Sequence, residues 1–379
     1  MKIPLFKIYW DKEDVKAAAD SIRRGMNWAS GPNIEKFEKL IAKYIVRKYA
    51  VVFNSGTSAL HALLIAYGIG RGDEVIVPSF SFIATANAPL FVGAKPVFAD
   101  IEEETCGLEP GDVENKITSK TKAIIPMHYG GVVCKEIEKL KKIAKNHNLL
   151  LIEDTAESFG AELNGKKAGT FGDAAMFSFC QTKVFTTGEG GCIVTDSREI
   201  WEKLKLIRAH GRAEDKNYFT TGEHMDYVSL GYNFRMADIV AALGISQIKK
   251  VNKLIKIRRK KAEYMTNALS KINASDIIIP KIPDNIFNVF QEYPVRIKSG
   301  KKTRDDLKKY MLAEGIGTRI SFPPIHLTHF YKNVFRYSDK LPVTEIIFSQ
   351  ALTLPLYPDL TNKEIDYICQ KIGKFYGKN

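Results

Sequence analysis

The stretch IEDTAESFGAELNGKKAGTFGDAAMFSFCQTK, residues 152–183, opens where an apolar run ends in a carboxylate and closes on a lysine just past a second apolar run. Within it Asp154 and Lys183 stand 29 positions apart. Pyridoxal phosphate demands two groups of a protein: a lysine to carry its aldehyde as a Schiff base, and an acid to keep its pyridine nitrogen protonated so that the ring can store an electron pair. This stretch offers one of each. Parallel-sheet proteins in general also carry Asp at strand ends and Lys on loops, so the pair by itself fits that plain reading as well.

Outward from this segment, apolar runs bounded by Gly, Pro and Asp alternate with amphipathic stretches. AVVFN precedes a helix from about Thr57 to Tyr67, and EVIVP precedes a helix through ATANAPLF. KPVFADI, KAIIPM and LLLIED follow, with the helical KEIEKLKKIAKNH between the last two. The alternation predicts a mostly parallel central sheet flanked by helices. AAMFSF and GGCIVTD read as two further strands joined by the tight loop QTKVFTTGEG, which carries Lys183. Helices are expected from Arg198 to Ile207 and from about Met236 into Leu269. Short strands near YPVRI and TRISF and helices near RDDLKKYMLAEG and NKEIDYICQKIG suit a smaller C-terminal α+β domain. The division expected is 1–249, with an N-terminal arm over about 1–30, and 250–379.

At 379 residues with 45% hydrophobic content, the chain is long enough for more than one core. Net charge is +13, which suits nucleic acid, an anionic membrane surface or an anionic small substrate. Eight basic residues and no acid fall between Lys249 and Lys261, but around the helix rather than on one face, and no nucleic-acid-binding motif accompanies them. A solvated helix is the reading preferred, with no nucleic-acid partner. Five cysteines without a CxxC pair fit free thiols in a reducing compartment, so no metal site is expected. Residues 75–94 carry no charge and are long enough for a membrane span, but Pro78, Pro89, Asn87 and two serines argue for strand, turn and buried helix. The N-terminus lacks the pattern of an export signal, which makes a cytoplasmic protein, not bound to a membrane, the expectation.

Several residues could complete a cofactor site. Gly56 and Thr57 lie at a strand-to-helix turn, where backbone N–H groups either hold a phosphate or are ordinarily capped. Ser178, five residues before Lys183, either joins that phosphate or bonds to backbone in the core. Phe82 either covers a flat ring or packs inside. Glu157 either meets a ring hydroxyl or faces solvent.

These blocks resemble a known family, the DegT/StrS-type sugar aminotransferases, pyridoxal phosphate enzymes of fold type I that act on nucleotide-linked keto sugars. SGTSALHALLIAYGIGRGDEVIVPSFSFIATANA, PMHYGG, IEDTAESFGA, GTFGDAAMFSF, TKVFTTGEGG, AHG, LGYNFRMADIVAALGISQ, FPPIHLTHFY and LPLYPDL occur in the family's order and span nearly the whole chain. The resemblance implies an aspartate-aminotransferase-like α/β fold. It makes Lys183 the Schiff-base lysine, Asp154 the pyridinium partner, Phe82 the stacking aromatic, and Gly56, Thr57 and Ser178 phosphate ligands. Asn233 would reach the phosphate from the neighbouring subunit of a homodimer. His210, Arg235 and His326 would lie near the substrate, although an arginine also serves in a structural ion pair.

The resemblance further implies L-glutamate as amino donor, a pyridoxamine 5'-phosphate form during turnover and an amino sugar as product. Many relatives carry Gln or His where this chain has Glu157. Related dehydratases place His where this chain keeps Lys183, which favours transamination. GYNFRMADIVAALGISQ and FPPIHL look more like relatives that aminate C4 of a 4-keto-6-deoxy sugar than those that aminate C3. A 3-keto aminotransferase and a non-catalytic regulatory protein that binds pyridoxal phosphate or a sugar nucleotide are the alternatives.

Overall fold

The strands that build the sheet are apolar at both alternate sets of positions, as required when helices cover both faces. A computed structural model of the chain describes residues 1–212, 226–272 and 274–377. Its main sheet comprises β1 (Tyr49–Phe53), β2 (Glu74–Pro78), β3 (Lys95–Ala99), β4 (Thr121–Ile124), β5 (Leu150–Asp154), β8 (Ala174–Ser178) and β9 (Gly191–Thr195). These lie in the order β1-β9-β8-β5-β4-β2-β3. Only β9 runs against its neighbours. In β1, Ala50 and Val52 point into one core while Val51 and Phe53 point into the other. In β8, Ala175 and Phe177 oppose Ala174 and Met176 in the same way.

On the first face pack α2 (Pro32–Ile45), α6 (Ile137–Asn146) and α8 (Asp238–Ile248); α3 (Gly56–Ala66), α4 (Ala84–Phe91) and α7 (Arg198–Arg208) cover the second. The outer helix α1 (Lys12–Arg23) rests on α8, α5 (Pro110–Asn115) lies against α6, α11 spans Pro342–Gln350, and the short strands β6 (Glu162–Leu163), β7 (Lys166–Lys167) and β11 (Ile286–Phe287) form a separate three-stranded sheet. A smaller antiparallel sheet, β10 (Ile277–Ile278), β12 (Tyr293–Ile297), β14 (Ala351–Leu354) and β13 (Arg319–Ile320), packs against α10 (Lys301–Ala313) and α12 (Asn362–Phe375) around its own core. The result is the mostly parallel sheet with a smaller α+β part that the resemblance implies.

The helix expected from Met236 into Leu269 is two helices, α8 and α9 (Val251–Ser270). They break at Lys249–Lys250, where the Lys250 N–H turns back to the Gln247 carbonyl and its ammonium sits 2.7 Å from both Asp11 and Asp14. The basic stretch is also less solvated than expected. Arg258 is buried, and its guanidinium donates to the carbonyls of Phe290, Gln291 and Leu356 at 2.8, 2.7 and 3.2 Å. Burial pushes this arginine down to about 10. Val251, Leu254 and Ile255 of α9 belong to the main core, whereas Ala262, Met265 and Leu269 belong to the small one. We propose that the change from large to small domain takes place along this helix. Among the described residues no helix is long and apolar enough to cross a membrane.

Candidate active site

Register decides where the candidate phosphate ligands fall. Gly191 at the start of β9 is paired with Phe53 on one side and Ser178 on the other, so the ends of β1, β9 and β8 lie abreast. Three residues beyond Phe53, α3 begins at Gly56, with Ser55 as N-cap accepting from the Ser58 N–H at 3.0 Å. The strand-to-helix turn folds so tightly over β8 that a Cβ on Gly56 would come within 3.0 Å of Met176 Sδ and 3.2 Å of Ser178 Cβ; a Cβ on Gly191 would strike the Gly56 nitrogen at 2.4 Å. Backbone blocks any side chain at Gly191, whereas at Gly56 Met176 and Ser178 would have to give by a few tenths of an ångström. Gly56, Thr57 and Ser178 thus share one corner at a helix N-terminus, where exposed N–H groups and the helix dipole suit a dianion.

Next to this corner, β5 delivers Asp154 to the same edge. Its side chain is buried and accepts from Thr85 Oγ1 at 2.6 Å and from the Ala156 N–H at 3.1 Å. Burial pushes the Asp154 carboxyl up from its ordinary range, against the pull of those hydrogen bonds and of the Lys183 charge. A carboxylate so placed gains from a cation brought to it, which is what a protonated pyridine nitrogen offers. The preceding residue, Glu153, turns to the opposite face and accepts from the N–H groups of Gly169, Phe171 and Gly172 and from His128 Nε2. The other His128 nitrogen, Nδ1, accepts from the Cys134 N–H. This buried knot fixes the end of β5.

Lys183 sits on the loop between β8 and β9, its side chain 15% exposed, with Nζ 3.3 Å from Glu157 Oε1. The second Glu157 oxygen accepts from the Gly130 N–H at 3.0 Å. Glu157 is therefore buried against the lysine rather than facing solvent. The lysine loop is pinned from the small sheet's side: Gln291 Nε2 donates to the Thr182 carbonyl at 2.6 Å. Phe82 is 60% exposed, with its ring 6.3 Å from that of Phe322. The turn after it, closed by the Thr85 N–H on the Phe82 carbonyl, leaves the aromatic outside while placing the Thr85 hydroxyl on Asp154.

The candidates at the substrate side divide. A ribbon formed by residues 209–211 and 231–235 runs beside β1, with Ala209 opposite Asn233 and Phe53 opposite Arg235. It brings Asn233 and Arg235 to the start of α3, where Asn54 Nδ2 donates to the Asn233 carbonyl at 3.4 Å and the Asn233 side chain lies exposed, while the exposed His210 is tied through its backbone N–H to the Tyr232 carbonyl at 2.9 Å. His326 is placed differently. Its ring is buried, 2.6 Å from Ser79 Oγ through Nδ1 and 3.4 Å from Glu345 through Nε2, where it holds the loop after β2. Burial pulls its pKa down.

Sequence reasoning did not single out Thr85, Gly130 or Gln291. Thr85 had a local signal, since it lies one turn past Phe82. Gln291 had none, being 109 positions from the loop it holds.

The residues present fit pyridoxal phosphate: a glycine cradle for phosphate, an open aromatic face, a buried carboxylate and an amine converge at one sheet edge. Fold and site together define a pyridoxal phosphate-dependent sugar aminotransferase. Over residues 9–373 the chain matches the DegT/DnrJ/EryC1/StrS aminotransferase family, to which it belongs. It is 35% identical to the GDP-perosamine synthase of Escherichia coli O157:H7, over 97% of this chain and 95% of that protein. Among solved structures, Helicobacter pylori PseC, an aminotransferase involved in the biosynthesis of pseudoaminic acid, superposes with a TM-score of 0.92 at 29% identity, with 100% of each chain covered. S. venezuelae DesV gives 0.89 at 29% identity, covering 100% of this chain and 99% of that one.

Proposed function

We propose that the chain transfers the amino group of L-glutamate to a nucleotide-linked 4-keto-6-deoxy sugar, in the cytoplasm, to supply an amino sugar for polysaccharide or glycan biosynthesis. The observation that carries this reading is the convergence of Lys183, Glu157 and Asp154 within one hydrogen-bonded edge of the sheet. Likeness to GDP-perosamine synthase supports a nucleotide-linked substrate, and the GYNFRMADIVAALGISQ and FPPIHL blocks support C4.

Bound pyridoxal phosphate supplies an aldehyde that accepts the amino group and a ring that stores an electron pair. Lys183 Nζ would hold the aldehyde and, as a free amine, would take up and return the proton at the donor's Cα, a role in which a positioned amine contributes roughly 10²–10⁴-fold. Glu157, bonded to both Nζ and the Gly130 N–H, aims the amine. Asp154 would keep the ring nitrogen protonated, and Gly56, Thr57 and Ser178 would hold the phosphate. The exposed Phe82 ring would cover one face of the cofactor. His210 and Arg235 line the sugar side, with Asn233 crossing to the phosphate of a partner's site in a homodimer. The net charge of +13 draws in an anionic substrate.

The test is to add glutamate to the yellow holoenzyme and then a panel of nucleotide-linked 4-keto and 3-keto sugars, with the product identified by mass and NMR. Bleaching by glutamate and amination at C4 are expected. A protein that glutamate leaves yellow is not a glutamate-dependent transaminase, and a C3 product would reverse the assignment of position.

A further inference from the structure

The basic stretch of α9 faces the three-stranded sheet. In that sheet Phe287 of β11 lies opposite Glu162 of β6, and Glu162 opposite Lys167 of β7, so the three side chains stand in one row on one face. In the other row Ile286 and Leu163 enter the main core. Between the first row and α9 lies an open groove of about 740 Å³. Lys256, Arg259 and Lys260, spaced i, i+3 and i+4 and hence on one side of the helix, meet Lys167 in its walls, and Glu162 and Glu263 are the carboxylates there. None of the candidate cofactor or substrate residues lines it, so the groove is separate from the site around Lys183.

Four cations against two carboxylates leave an excess of positive charge. Among the described residues Lys256, Arg259 and Lys260 make no ion pair, and Lys167 has only Glu162, at 4.0 Å. The Lys167 side chain is 23% exposed, its ammonium lies 3.9 Å from the centre of the Tyr44 ring, and burial pulls its pKa below the ordinary 10.5. A cation held partly out of water in this way gains from an anion brought to it. Arg259 is oriented from two sides: Nη1 donates to the Asn288 carbonyl at 2.6 Å, and the guanidinium carbon lies 4.0 Å from the centre of the Phe287 ring. Among the described residues the other N–H groups of its planar fork make no hydrogen bond, and such a fork matches phosphate oxygens.

We propose that the groove between α9 and the β11-β6-β7 sheet is a second binding site, one that takes the diphosphate group of a nucleoside diphosphate. Lys256 and Lys260 stand roughly 5–6 Å apart at Cβ. One phosphate meets only one of them, whereas two linked phosphates meet both, with Arg259 on the same side of the helix. Phe287, 39% exposed, offers an aromatic surface for the base. A nucleic acid needs a basic track that continues along its backbone. Here Glu263, one turn beyond Arg259 and Lys260, and Glu162, beside Lys167, interrupt it, which limits the ligand to a compact anion.

The experiment uses holoenzyme at low salt and measures the binding of UDP, GDP and inorganic pyrophosphate by calorimetry, in the parent and in Lys256→Gln/Lys260→Gln, whose two native side chains are exposed. At one site per chain the variant should lose at least about tenfold in affinity for all three, the loss of charge-assisted contacts to phosphate, while its melting temperature and its bleaching by glutamate stay those of the parent. At that site UMP should bind the parent at least about tenfold more weakly than UDP. UDP should also slow the acetylation of Lys167 by acetic anhydride, read by mass spectrometry of its peptide. Binding that the variant leaves unchanged overturns the proposal, as does a Lys167 that UDP does not protect. UMP matching UDP removes the diphosphate from the assignment, and pyrophosphate binding more tightly than both nucleotides removes the nucleoside; either result overturns it. An oligouridylate that binds more tightly than UDP and is released by the variant overturns it in favour of a nucleic-acid track.

Discussion

Thr85 shows how one hydroxyl governs a buried charge. It donates to Asp154 from within a chain that continues to Ser81 Oγ at 2.7 Å, and this bond opposes the burial that pushes the carboxyl up. Thr85→Val should weaken cofactor binding by about ten- to a hundredfold, since a hydrogen bond to an ionised group contributes roughly 1.5–3 kcal/mol, and Thr85→Ser should restore it; titration of the cofactor-free protein with pyridoxal phosphate measures both. Asp154 carries a second consequence. Because its native carboxyl keeps its proton to higher pH than the ordinary 3.8, the native state binds more protons than the unfolded one above that value. Stability from this group is full below 3.8 and is lost as pH rises through the native value. Cofactor-free Asp154→Asn should therefore melt above the parent at about pH 7, with the gap closing toward about pH 4; a gap that persists in acid would contradict the burial account.

At the scale of elements, the end of β5 is held by Glu153 rather than by sheet pairing alone. Burial pushes the Glu153 carboxyl up, but the His128 bond and the N–H groups of Gly172 and Gly169 outweigh it and leave the group below 4.5. Its contribution is present above 4.5 and disappears as pH falls through the native value. Glu153→Gln should cost roughly 2–4 kcal/mol in urea unfolding near pH 7, because an amide turned toward those N–H groups leaves buried donors unmatched, and the difference should narrow below 4.5. Arg258 plays the same part for α9, tying it to the Phe290–Gln291 segment that also holds the lysine loop. Arg258→Met should lower the urea midpoint and loosen pyridoxal phosphate retention together, since it frees three buried carbonyls and releases Gln291.

For the whole molecule the decisive question is whether one chain makes a complete site. Asn233 is exposed beside the start of α3, and apolar side chains remain open along the N-terminal region, Trp10 at 66% and Trp28 at 49%. In a homodimer that exchanges Asn233, mixing Lys183→Ala with Asn233→Ala subunits makes hybrids in which one site has both native residues. Activity should return to about a quarter of the native level after random exchange, because half the dimers are hybrid and each holds one intact site of two. If each chain uses its own Asn233, no intact site forms and the mixture stays inactive. Product formation after subunit exchange distinguishes the two.

What the sequence determined by itself is the set of parts whose meaning is local or periodic. Apolar alternation announced the sheet and its helices, while a carboxylate ending an apolar run, a lysine on a Gly/Thr-rich loop and a glycine at a strand-to-helix turn offered candidates for a cofactor site that also fitted a plain reading. Ordered blocks then identified the chemistry. Tertiary structure alone decided the partners. Thr85 meets Asp154 from 69 positions away, Gln291 pins the loop of Lys183, and Arg319 pairs with a carboxylate 27 positions earlier. Glu157, open to two readings in sequence, is buried against Lys183. His326, grouped in sequence with the substrate residues, is enclosed by Ser79 and Glu345. The reason is physical: backbone periodicity and turn chemistry depend on neighbours along the chain, whereas the burial and hydrogen bonds that tune a charge come from whatever the fold packs beside it.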